Sequence, residues 1–174
     1  DGDWMEIDAI LARVAQHPAR FVTVTGGEPL AQRPCIPLLT ALCDAGYAVS
    51  LETSGALDIA TVDERVSVVM DIKTPGSGEM DKNLPGNIPH LDANDQIKFV
   101  ICDRADYEWS RGMVRDHALS ARCTVLFSPG HETLPPQQLA DVQYAMAHPV
   151  DGVPGGLLQA ITGRASFEVN SLHG

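Results

Sequence analysis

Residues 22–29, Val-Thr-Val-Thr-Gly-Gly-Glu-Pro, carry a β-branched strand into a diglycine turn, a carboxylate and a proline. Adjacent glycines reach backbone dihedrals closed to other residues, so the main chain at Gly26 and Gly27 can approach a ligand closely. Glu28 adds an acceptor suited to a cation such as an ammonium group. Pro29 fixes its own φ and stiffens the exit. The combination points to a cofactor received at a strand end, although a plain left-handed turn after a buried strand would use the same glycines.

Three more polar strand ends share this character: Glu52-Thr53-Ser54-Gly55, Asp71-Ile72-Lys73 and Ser128-Pro129-Gly130. Taken singly, the first could be a capped loop and the second a rim salt bridge of little energetic weight. Taken together they gain meaning, because open α/β sheets bind ligands beyond the carboxyl ends of their strands.

The surrounding pattern predicts such a sheet. Ile7, Ile10, Leu11 and Val14 form one apolar helix face that ends at His17-Pro18. A strand follows at 21–25, then a helix at 35–45 stopped by Gly46, and a strand at 48–53. The nearly continuous apolar run at 66–72 predicts a strand covered on both faces, as parallel sheets usually are. Further strands are expected at 97–102 and 124–127, separated by a helix that Asp103 caps and that runs to about Leu119. The Pro- and Gly-rich stretch 74–89 reads as a loose surface loop or a functional lid.

Twelve basic against twenty-three acidic residues give a formal charge of −11 in 174 residues. That balance repels nucleic acid and anionic bilayers. No run is long and apolar enough to span a membrane, and the acidic start has no leader-like pattern, so the expected location is the cytoplasm. Cys35, Cys43, Cys102 and Cys123 show no C-x-x-C spacing and read as core thiols. The six histidines likewise lack metal-ligand spacing.

The ordered set Val22 to Pro29, Leu51-Glu52-Thr53-Ser54-Gly55, Met70 to Pro75, Asp103 to Tyr107 and Leu126-Phe127-Ser128-Pro129 resembles the 7-carboxy-7-deazaguanine synthases. These are radical S-adenosylmethionine (SAM) enzymes of the queuosine and deazapurine pathway. The resemblance runs from about Trp4 to Asp141. It implies an α/β fold, a partial (β/α) barrel of which about five parallel strands are present. It also implies a lyase that converts 6-carboxy-5,6,7,8-tetrahydropterin to 7-carboxy-7-deazaguanine with loss of ammonia. The implied cofactors are SAM, a [4Fe–4S] cluster and Mg²⁺. A small pterin substrate, an electron donor such as flavodoxin and a homodimer are the implied partners.

Carried over to this chain, the resemblance assigns Thr25 to substrate. It assigns Gly26, Gly27, Glu28 and Pro29 to the SAM amino group. Glu52, Thr53, Ser54, Asp71, Ile72, Lys73, Ser128, Pro129 and Gly130 are assigned to the rest of that cofactor. The family's cluster cysteines and its magnesium-binding hydroxyl have no counterpart here. The expectation is therefore a fragment, inactive alone, with residues 1–141 as one domain and 142–174 as an atypical, poorly packed tail. Two other readings stay open, a different radical SAM enzyme such as a glycyl-radical activase, and a non-catalytic α/β nucleotide-binding module.

Overall fold

The computed structural model describes residues 4–130, 134–136 and 139. Along them run helix α1 (Ile7–Val14), strand β1 (Phe21–Val24), helix α2 (Cys35–Asp44), and strands β2 (Ala48–Thr53), β3 (Ser67–Ile72) and β4 (Gln96–Ile101). Helix α3 (Arg104–Asp116) and strand β5 (Thr124–Pro129) follow. All neighbouring strands pair in parallel, in the spatial order β1-β2-β3-β4-β5. Strand order that follows chain order means that every crossover steps the same way, as in a (β/α) barrel. The expected α/β class, with five parallel strands, is the one found.

The helices end where their chemistry requires. Gly46 takes φ 85° just past α2, and the Tyr47 amide returns to the Leu42 carbonyl at 3.2 Å. Asp103 caps α3 by accepting from the Asp106 amide at 2.9 Å. That helix stops at Asp116, short of the expected Leu119, because Ala118 turns to φ 49°. Leu119, fully buried, then anchors a short 3-10 turn before β5.

Alternation along the strands divides the sheet into two unlike faces. Leu51, Met70, Phe99 and Phe127 point into the core, where α2 and α3 cover them. Thr23, Ser50, Glu52, Asp71 and Lys98 occupy the other face and are exposed or half-buried. The expectation that 66–72 would be covered on both faces is corrected. Among the described residues only one face is closed, because Ser67 and Asp71 fall on the alternate positions of β3 and Val69 between them stays half-buried. In a partial barrel the second face looks into the lumen.

The stretch 74–89 is not loose. It forms successive 3-10 turns at Pro75–Ser77, Met80–Lys82 and Pro85–His90, and Ile88 of the last is buried in the core. No helix among the described residues is long and apolar enough to cross a membrane. The expected tail at 142–174 lies outside the described residues.

Phe99 shows how the core is tied together. It is wholly buried, stacked on Phe127 with centroids 5.5 Å apart, and meets Trp109 edge-on at 6.3 Å. Replacing Phe99 by Ala is expected to cost about 3–5 kcal/mol, read as a lower urea midpoint at unchanged m-value. A loss below about 1 kcal/mol would remove this aromatic cluster from the stabilising core.

Candidate functional site

The diglycine turn stands open at the end of β1. Gly26 and Gly27 adopt φ 106° and 57°, conformations that side chains rarely allow, and a Cβ at either would meet nothing within 4 Å. Main chain is therefore exposed to whatever occupies that space. Below it, Pro29 is buried and Leu30 packs against both core clusters, so the exposed turn is held from beneath.

Glu28 faces along the rim to β2. One carboxylate oxygen accepts from the Leu30 amide at 3.1 Å and the Thr53 hydroxyl at 2.9 Å. The other accepts from the Ser54 amide at 2.8 Å, the Ser54 hydroxyl at 2.5 Å and Thr53 again at 3.0 Å. Burial pushes the Glu28 pKa up, but the bonds from the Ser54 hydroxyl and amide, the Leu30 amide and the Thr53 hydroxyl outweigh it, leaving the pKa lowered. A carboxylate offers about four acceptor sites, so an incoming ammonium must displace a hydroxyl. Thr53 and Ser54 can rotate their hydroxyls away, whereas the two amides cannot. Glu28 thus retains the chemistry to receive a cation, and it also binds one strand end to the next.

Thr25 and Glu52 lie exposed beside each other on the open face, with the Thr25 hydroxyl 3.4 Å from a Glu52 oxygen. Just past β3, Lys73 Nζ pairs with Asp71 Oδ2 at 2.9 Å, both side chains partly buried. Asp71 Oδ1 is buried and has no partner among the described residues. Its register neighbour on β4 is Lys98. Ile72 turns its side chain into the core, so only its main chain can serve a ligand. Ser128 and Pro129 close β5 as its last residues and are half-buried, while Gly130 is buried and donates to the Ile101 carbonyl at 2.8 Å.

The cysteines do not gather. Cys35 and Cys43 sit on α2, Cys102 follows β4 at the carboxyl end, and Cys123 precedes β5 at the opposite end. Burial, aided by Asp95, pushes the Cys123 thiol up to about 11, and burial with Glu28 raises Cys35. Neither favours a thiolate. No three potential ligands meet among the described residues, so these side chains do not fit an iron–sulfur cluster.

Three residues at the rim escape sequence reasoning. Asp106 is 1% exposed and accepts from the Gly76 amide at 2.7 Å and the Cys102 amide at 3.0 Å. A Cβ at Gly76 would lie 2.5 Å from that carboxylate, so the close approach needs glycine. Asn83 and Asn87 bond to Lys73 and to the loop after β2. An asparagine in a Pro- and Gly-rich stretch reads simply as a turn residue, and no local signal marks these two.

No protein-family model matches the chain. Against solved structures it is similar to the crystal structure of QueE from Escherichia coli, with a TM-score of 0.65, 19% identity, and coverage of 82% of this chain and 60% of that one. The chain therefore shares the α/β fold of that protein, with five parallel strands in one sheet. Among curated proteins, the 7-carboxy-7-deazaguanine synthase of Chlorobaculum tepidum is 40% identical over 144 residues, 80% of this chain and 65% of that protein. The Koribacter versatilis synthase is 43% identical over 131 residues, 74% of this chain and 58% of that protein. The Leptospira interrogans synthase is 32% identical over 161 residues, 83% and 67% respectively. The chain belongs to the 7-carboxy-7-deazaguanine synthase family, and it spans less than two thirds of the length of the first two relatives.

Glu28→Gln should destabilise the fold by about 1.5–3 kcal/mol at pH 7, the range for bonds to a charged acceptor. The carboxyl has a lowered pKa in the fold, so its contribution is present above the ordinary value of 4.5 and lost as pH falls through the lowered one. The stability gap between the native chain and Glu28→Gln should accordingly shrink on acidification across that window in urea titrations. A gap independent of pH would deny the carboxylate this role.

Proposed function

We propose that this chain forms the SAM- and substrate-facing part of a 7-carboxy-7-deazaguanine synthase, with residues 1–141 as its single domain. The carrying observation is the meeting of four polar strand ends on one rim, in a chain 40–43% identical to curated synthases. The reaction proposed is conversion of 6-carboxy-5,6,7,8-tetrahydropterin to 7-carboxy-7-deazaguanine with loss of ammonia. Gly26, Gly27 and Glu28 would hold SAM at this rim, where the bound cofactor would supply the radical chemistry of the reaction. The cysteines described here do not fit an iron–sulfur cluster.

The chain's own contribution is binding and orientation. Gly26 and Gly27 bring main chain up to the methionine part of the cofactor, and Glu28 offers its carboxylate to the ammonium. Glu52, Thr53 and Ser54 present acceptors and donors for the ribose and carboxylate. Lys73, held by Asp71, supplies a positive charge, and Ser128 with the main chain at Pro129 and Gly130 closes the far side. Thr25 turns toward the substrate on the open face. Mg²⁺ held by other residues, an electron donor such as flavodoxin, a homodimer and a cytoplasmic setting would complete the enzyme.

The test is a chimera in which residues 4–130 replace the corresponding part of the Chlorobaculum tepidum synthase. It should form 7-carboxy-7-deazaguanine from the pterin, and Lys73→Met should impair it. A folded, cluster-loaded chimera that cleaves SAM without making this product would sink the substrate assignment. The 174-residue chain alone, incubated with iron and sulfide, should develop no iron–sulfur absorption. Gly27→Ala should weaken SAM binding by about tenfold, because the left-handed backbone costs about 1–2 kcal/mol and the methyl enters the ligand's space. Calorimetric titration showing unchanged affinity would make the turn purely structural.

A further inference from the structure

The crossovers on either side of β3 contain no α-helix, yet the loops they leave at the rim are fixed. Both are held by one short segment, 83–87. The Asn83 carboxamide pairs with both main-chain groups of Lys73, its Oδ1 accepting the amide at 2.8 Å and its Nδ2 donating to the carbonyl at 2.8 Å. One residue on, the Leu84 amide donates to the Gly55 carbonyl at 3.1 Å. Asn87, with no exposed surface, donates to the carbonyls of Gly55 at 3.1 Å and Leu57 at 2.8 Å, and accepts from the Ile59 amide at 3.2 Å. The Asn87 amide returns to the Leu84 carbonyl at 3.0 Å, and Ile88 beside it is sunk in the core.

The two Asn83 bonds reach main chain just after β3, and the three Asn87 bonds reach main chain of the loop after β2. Ordering each backbone residue of these loops costs about 1–2 kcal/mol, which the bonds from 83–87 help to offset. We propose that 83–87 is a strap that holds the loop after β2 and the segment after β3 in one arrangement, making Asn83 and Asn87 positioning residues for the ligand at the rim. Asn83 acts through Lys73. Asn87 acts through Gly55, whose φ of 71° and closeness to Met70, 2.9 Å from an added Cβ, require glycine in this turn. The inference rests on the reading of the rim as a SAM site.

The test uses Asn83→Asp and Asn87→Asp in the full chain. Each keeps the accepting oxygen and sets a second carboxylate oxygen against a carbonyl. Amide hydrogen exchange without ligand reads the strap, and calorimetric titration with SAM reads the site. Asn83→Asp should speed exchange at Lys73, and Asn87→Asp should speed it at Ile59 and also at Lys73, which Asn87 does not touch. Both should weaken SAM binding by about tenfold, as loss of a net hydrogen bond predicts. The double variant should lose less than the sum, as coupled residues do.

Unchanged exchange at Lys73 in Asn87→Asp would overturn the strap, whatever the chain binds. Faster exchange with unaltered SAM affinity would overturn the positioning role and leave a fold element. Absence of SAM binding to the unaltered chain would overturn the reading of the rim, and this assignment with it. Should Asn87→Asp fail to fold, the half-buried Asn83→Ala carries the same readouts, with Ile59 as the remote amide.

Discussion

Capture of the Glu28 carboxylate by Thr53 and Ser54 is the constraint on which the rim depends. It locks the end of β1 to the end of β2, and the same device recurs around the edge. Asn87 takes the loop after β2, Asn83 takes Lys73, and Asp106 takes Gly76 and Cys102. In each case a side chain satisfies main-chain groups of a neighbouring loop that no helix or ladder would satisfy. A bond of this kind adds about 0.5–1.5 kcal/mol net, but its removal strands a buried partner at about 1–3 kcal/mol. The rim is consequently stiff for a region of so little regular structure.

That stiffness is transmitted from below. One core cluster joins α3 to β3, β4 and β5, and another joins α2 to β2, with Leu30 and Val62 packed against both. Leu30 is the residue whose amide donates to Glu28. The open turn at Gly26 and Gly27 is thus separated from two cores by only a proline and a leucine. Exposure for a ligand and rigidity of the support coexist within five residues.

Much of this was legible in the sequence because it rests on local signals. β-branched runs marked the strands to within one or two residues, Gly46 marked the end of α2, and Asp103 marked the start of α3. The four polar strand ends could be placed on one rim by topology alone. What escaped were contacts between residues distant in the chain. Thr53 lies 25 residues from Glu28, and Gly55 lies 32 from Asn87, so neither partner announces itself locally. The covering of β3 was misjudged for a related reason, since an apolar run does not reveal that Asp71 and Ser67 share a face left open.

The two unlike faces of the sheet divide the demands that change would make on this sequence. On the closed face, volume is conserved by tight packing, so altering Phe99 or Met70 disturbs many neighbours at once. On the open face, Thr23, Ser50 and Lys98 are exposed or half-buried, the first two bonded to each other at 2.9 Å, and their replacement would redraw the chemistry of that face at less cost to folding. Tolerance to innovation is thereby concentrated where a ligand would meet it, and a scaffold of this kind can be re-specialised by substitutions on alternate residues of its strands.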